Sequence, residues 1–97
     1  MIEINIHREA SRELEATVEF YEFRLEGLGV RFLSAVENGL TRISEFPESG
    51  SQFDRDLRKA VVAGFPFSII YQETTHDITV IAVAHNYRRP GYWSNRF

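Results

Sequence analysis

The 97-residue chain contains no cysteine, which excludes a disulfide framework and a thiolate zinc site. No apolar run approaches the roughly 18 residues of a membrane span, so no membrane partner is expected. No signal peptide precedes the first folded segment, and a cytoplasmic, reducing location is the expectation. Also missing are a Gly-rich phosphate loop, an HExxH pair and EF-hand spacing, and no repeat or low-complexity tract interrupts the chain. The three histidines lie too far apart to mark a metal site by spacing. Neither a metal nor a cofactor is therefore expected. Positive charge is short overall, with a net charge of -3, which argues against a general nucleic-acid binder.

What is present is unevenly placed. Residues 1–54 carry five basic and eleven acidic side chains, whereas residues 55–97 carry six basic and three acidic. A basic face can exist on an acidic protein. The length sets one domain over 1–97 as the expectation.

Ile2, Ile4 and Ile6 alternate with polar residues and predict a short strand with one buried face. From Arg8 to Leu25 the period changes. Ala10, Leu14, Val18, Tyr21 and Leu25 recur at steps of three and four and form one helical stripe. Gly27 and Gly29 punctuate the pattern, and a second helix is predicted from about Val30 with the stripe Phe32, Leu33, Val36, Leu40 and Ile43. So short a connection predicts an antiparallel helical hairpin, which needs a sheet to lie against. The segment 46–51 contains Pro47 and Gly50 and predicts a loop. Strands follow at roughly 57–63, 66–73 and 77–85, with turns too short for crossover helices, so these three form an antiparallel meander. The order is β-α-α-β-β-β: an α+β fold with a small curved antiparallel sheet and an N-terminal helical hairpin. Phe67, Ile69 and Tyr71 share one face of their strand, and Ser68, Ile70 and Gln72 share the other. Both faces need cover. The helices supply one, and Tyr92, Trp93 and Phe97 are expected to fold back over the second.

The end of the chain concentrates the candidate chemistry. Beyond the last strand, His85 to Phe97 contains one histidine, three arginines, two tyrosines and a tryptophan. His85 reads as an acid or base near neutral pH, or as a capping histidine at a sheet edge. Arg88 and Arg89 suit a phosphate or a partner's carboxylates, or pair with the acidic helices. Arg58 and Lys59 are adjacent on one strand, so parity allows at most one of them into a groove with His85. Arg58 also follows Arg55 and Asp56, which allows a local ion pair. His7 is expected to cap the first helix and His76 to lie in a solvated turn. Tyr71 shares the parity of Phe67 and Ile69 and reads as core, and Trp93 reads as an anchor for the chain terminus.

These residues together resemble the RelE/ParE toxin superfamily, often labelled plasmid stabilisation proteins. The resemblance runs through Ala10-x-x-x-Leu14-x-x-x-Val18-x-x-Tyr21, Leu28-Gly-x-x-Phe32 and Ile43-x-x-Phe46-Pro47. It continues through Arg58, Phe65-Pro-Phe-Ser-Ile-Ile-Tyr71 and Val80-x-Ala-Val-Ala-His85 with Arg88, Pro90, Tyr92 and Trp93. It implies the toxin of a type II toxin–antitoxin pair, with a cognate antitoxin as partner and DNA binding only indirectly, through that antitoxin. ParE-like members block DNA gyrase. RelE-like members cleave messenger RNA on the ribosome. The RelE-like set places one arginine where this chain has Ser68 and another at about Asn86, and its late tyrosine matches Tyr92. Two basic positions are replaced, which favours the ParE-like branch. In the alternative, a messenger RNA endoribonuclease, His85, Arg88, Tyr92 and Arg58 would carry catalysis. For a target or antitoxin, the expected contact residues are Arg58, His85, Arg88 and Arg89.

Overall fold

A computed structural model describes residues 2–54 and 56–96. The expected packing of Phe97 and the ion pair considered at Arg55 lie outside the described residues. The elements are β1 (Glu3–Ile6), α1 (Arg8–Arg24), α2 (Leu28–Glu45), β2 (Ser51–Asp54), β3 (Leu57–Val61), β4 (Phe67–Glu73), β5 (Asp77–His85) and a short 3-10 turn, Ser94–Arg96. They build one five-stranded sheet in the order β1-β5-β4-β3-β2.

α1 starts where expected because His7 Nδ1 accepts the Glu9 N–H at 3.0 Å, the capping role read from the sequence. Ala10, Leu14, Val18 and Tyr21 of its stripe join the core. Leu25 does not: it terminates α1 and is exposed. α2 begins at Leu28, two residues before the expected start, because α1 supplies its cap. The Glu22 carboxylate accepts the Gly27 N–H at 2.8 Å and the Gly29 N–H at 3.0 Å, so donors with no helical partner are satisfied from the neighbouring helix. Gly29 must be glycine for space. A Cβ there would lie 2.5 Å from the Val18 carbonyl oxygen. Phe32, Val36 and Ile43 are fully buried, while Leu33 remains half-buried.

The meander β3-β4-β5 is antiparallel, as its short turns require. Two features differ from expectation. Ser51–Asp54, which overlaps the predicted loop at Ser51 and otherwise falls in no predicted element, forms the edge strand β2, paired antiparallel with β3. All four of its residues are exposed, so no side-chain burial marks it in the sequence. The sheet is also mixed rather than wholly antiparallel, since β1 runs parallel to β5 from Glu3↔Asp77 to Ile6↔Val80. The extra strand β2 adds one reversal of the chain, and β1 consequently runs with β5 rather than against it.

Two apolar clusters lie on opposite faces of the sheet. The helices cover Ile69, Tyr71, Ile78, Val80 and Val83. The other cluster joins Leu57, Ile70, Ile81, Ala82, Ala84 and Trp93, with Tyr92 packed at its margin. The return of Tyr92 and Trp93 over the second face follows the sequence reading. A register shift between Ile70 and Tyr71 opposes Ala82 and then Val80, so Ile81 is an inserted residue. That insertion lets Val80 and Val83 face the helices while Ile81 and Ala82 face away.

Candidate binding site on the open face of the sheet

The second cluster is only partly roofed, and the gap is a cavity of about 230 Å³. Ser68, Ile70 and Ala84 form its floor, supplied by the middle strands. Phe53 of β2 and Trp93 of the terminal segment stand edge to face, centroids 6.1 Å apart, and form apolar walls. His85 and Asn86 close one end, and Lys59, Arg88 and Pro90 complete the lining. Among the described lining residues there is no carboxylate. The site therefore combines positive charge with aromatic surface, which suits an acidic group carried beside an apolar one.

The turn after β5 sets this geometry. The Asn86 N–H donates to the Pro66 carbonyl at 2.8 Å, and the Arg88 N–H to the His85 carbonyl at 3.0 Å. The Ser68 hydroxyl donates to Asn86 Oδ1 at 2.7 Å. The two residues that stand where basic side chains were expected in a nuclease thus bond each other at the cavity floor. His85 Nδ1 accepts the Tyr87 N–H at 3.1 Å, so in its neutral form the ring proton sits on Nε2. The ring packs edge-on against Phe67 at 5.0 Å. His85 therefore caps the turn and lines the cavity at once.

The other candidates separate. Arg58 lies on the helical face, opposite Tyr71 in register. Its Nη1 donates to the Gly50 carbonyl at 2.9 Å and the Glu48 carbonyl at 3.3 Å, and its Nε lies 3.8 Å from Glu73. It fastens the α2–β2 loop and does not reach the cavity. Parity permitted one of Arg58 and Lys59 beside His85, and that one is Lys59. Arg89 is exposed on the turn and does not line the cavity.

Tyr92 also points elsewhere. Its hydroxyl donates to Glu13 Oε2 at 2.7 Å. Burial, reinforced by the hydrogen bond and charge of Glu13, pushes its pKa well above the usual phenol range. A phenol held this way keeps its proton at neutral pH. Glu13 is the centre of a cluster that sequence reading missed. It accepts the Val83 N–H at 3.0 Å and two bonds from Arg96, at 2.9 and 3.1 Å. Arg96 Nη1 also donates to the Ile81 carbonyl at 3.1 Å, and the Glu13 bond raises the guanidinium pKa further. These two side chains stand in for a neighbouring strand along β5 beyond the reach of β1. Arg88 lies between the two sites: its guanidinium carbon sits 3.6 Å from the Tyr92 ring centroid, and its Nη1 is 3.6 Å from Glu13 Oε2. Nothing in the sequence links residue 13 to residue 96. The one available hint is that Glu13 falls next to Leu14 at the border of the apolar stripe rather than on the outer face.

The geometry thus brings His85, Arg88 and Lys59 to one cavity, and leaves Arg58, Arg89 and Tyr92 outside it. Among the described residues, no group of three or more His, Cys, Asp or Glu side chains could hold a metal ion. Among the same residues, no helix is long and apolar enough to cross a membrane.

Residues 4–90 match the family described as "ParE toxin of type II toxin-antitoxin system, parDE". No curated protein sequence matches the chain. Among solved structures, a chain of the "Chromosomal ParDE TA system from P. aeruginosa" superposes with a TM-score of 0.76 at 13% identity, covering 88% of this chain and 96% of that one. At that identity the likeness speaks for the fold.

Proposed function

Because the chain belongs to the ParE toxin family of type II toxin–antitoxin systems, we propose that it arrests growth in the cytoplasm by binding a protein target such as DNA gyrase. A cognate antitoxin neutralises it by occupying the cavity of Lys59, His85 and Arg88. Both partners are read as presenting carboxylates beside apolar side chains, because the cavity offers cations between Phe53 and Trp93. DNA contact is indirect, through the antitoxin.

The observation that carries this reading is the Ser68–Asn86 hydrogen bond at the cavity floor. Phosphoryl transfer from a 2′-hydroxyl needs cations on the developing charge and a group to move the proton. Two neutral residues bonded to each other supply no charge there. Tyr92, the remaining member of the nuclease set, has its proton committed to Glu13. The test is a gyrase supercoiling assay with the purified chain. Inhibition is expected, and full supercoiling at excess toxin overturns the gyrase assignment.

The messenger RNA endoribonuclease remains the second reading, favoured by one observation: His85 and Arg88 share the cavity. It requires cuts at defined codon positions when the chain is expressed. Those cuts must vanish in His85→Ala.

A further inference from the structure

On the side of the sheet away from the cavity, α1 turns aromatic surface to solvent. Phe23 is 94% exposed and Phe20 is 52% exposed. Three residues apart on the helix, they line a shallow groove with Ala16, Glu19 and Arg24. The fold uses little of this face: α1 packs on the core through Ala10, Leu14, Val18 and Tyr21, and the Phe20 ring meets Tyr21 edge-on at 5.4 Å. Burying an aromatic side chain is favourable and exposing one is not, so two neighbouring exposed phenylalanines mark a contact surface.

The charge around them specifies the kind of partner. Residues 15–26 carry four carboxylates, Glu15, Glu19, Glu22 and Glu26, against one guanidinium, Arg24. Glu22 is committed to the cap of α2. Arg24 lies over the Phe20 ring at 5.1 Å. Arg12, one turn before Ala16, is held by Glu9 at 2.8 Å. Glu15 and Glu19 sit four apart on the same helix, where like charges repel, and both are exposed. A cation brought alongside relieves that repulsion. Two copies meeting face to face on this surface would add to it.

We infer that the Phe20–Phe23 face of α1 docks a basic amphipathic helix of another protein. Its apolar stripe covers the two rings, and its lysines or arginines reach Glu15 and Glu19. The face lies on the opposite side of the sheet from the cavity, so the two sites bind independently. The inference does not rest on the toxin reading.

Fluorescence anisotropy with the purified full chain tests it, using two short helical peptides with identical leucine stripes. One carries lysine at the remaining positions and the other carries glutamate. The lysine peptide is expected to bind at least about tenfold more tightly, the glutamate peptide being repelled. Phe23→Ser should remove the preference, and so should Glu15→Lys with Glu19→Lys. All three positions are exposed, and circular dichroism verifies that the variants fold. Equal affinity for the two peptides overturns the inference, as does lysine-peptide binding unaffected by Phe23→Ser. Concentration-dependent dimerisation that Phe23→Ser abolishes assigns the face to a second copy and overturns it too.

Discussion

Replacing Glu13 by alanine removes the acceptor at which α1, β5 and the terminal segment meet. Four hydrogen bonds end on that carboxylate, from Val83 N–H, the Tyr92 hydroxyl and two nitrogens of Arg96. The Glu13 and Arg96 side chains are 15% and 11% exposed, so the pair is largely shielded from water. Breaking a buried pair from one side costs about 3–5 kcal/mol, chiefly by stranding the other charge. Arg96 keeps its bond to the Ile81 carbonyl and some contact with solvent, so the lower end applies. Glu13→Ala should therefore destabilise by about 3 kcal/mol. Glu13→Gln keeps the shape and an acceptor for Val83 and should cost about 1.5 kcal/mol. Urea unfolding of Glu13→Ala, Arg96→Met and the double variant completes a cycle, with an expected coupling of about 2 kcal/mol. In native-state hydrogen exchange, the Val83 amide should lose protection in Glu13→Ala. A coupling below about 0.5 kcal/mol with Val83 protection unchanged refutes the claim that this pair closes the edge of β5.

Other perturbations test other parts of the structure. Tyr92 has a raised pKa in the folded state, so its contribution is complete below its unfolded value of about 10 and is lost as pH climbs towards the folded value. Tyr92→Phe should accordingly flatten the alkaline fall in urea midpoint, and an unchanged fall removes the role given to Glu13. Gly50→Ala would set a Cβ 2.6 Å from the Tyr71 hydroxyl, which accepts the Gly50 N–H and donates to the Pro47 carbonyl. A loss of about 1–3 kcal/mol in thermal or urea unfolding is expected there. Lys59→Glu with Arg88→Glu should weaken antitoxin binding by at least about a hundredfold in calorimetry, while Arg89→Glu changes it little. Equal effects at Arg88 and Arg89 would separate binding from the cavity.

The periodic parts of this fold were legible because burial writes them into the sequence. The stripes of α1 and α2 and the alternation of Phe67, Ile69 and Tyr71 each record one face against a core. β2 carries no such record, since its residues are all exposed. Ile81 hides its insertion because a run of apolar residues shows no break in period. At the site, parity narrowed Arg58 and Lys59 to one, but which face held the cavity required the packing of Trp93. Arg58 looked functional because it is a cation in a matching position; its partners, two loop carbonyls, leave no trace in composition. The Glu13–Arg96 pair spans 83 residues, and local spacing cannot reveal it.

The proposed growth arrest comes from occupying a protein target rather than from cutting RNA. Induced expression of the chain, with plasmid topoisomers and transcript ends read from the same culture, tests it most directly. Arrested growth, relaxed plasmid and intact transcripts are expected, with growth and supercoiling restored when Lys59 and Arg88 are replaced by glutamate. Normally supercoiled plasmid together with codon-positioned cuts that His85→Ala abolishes would contradict it.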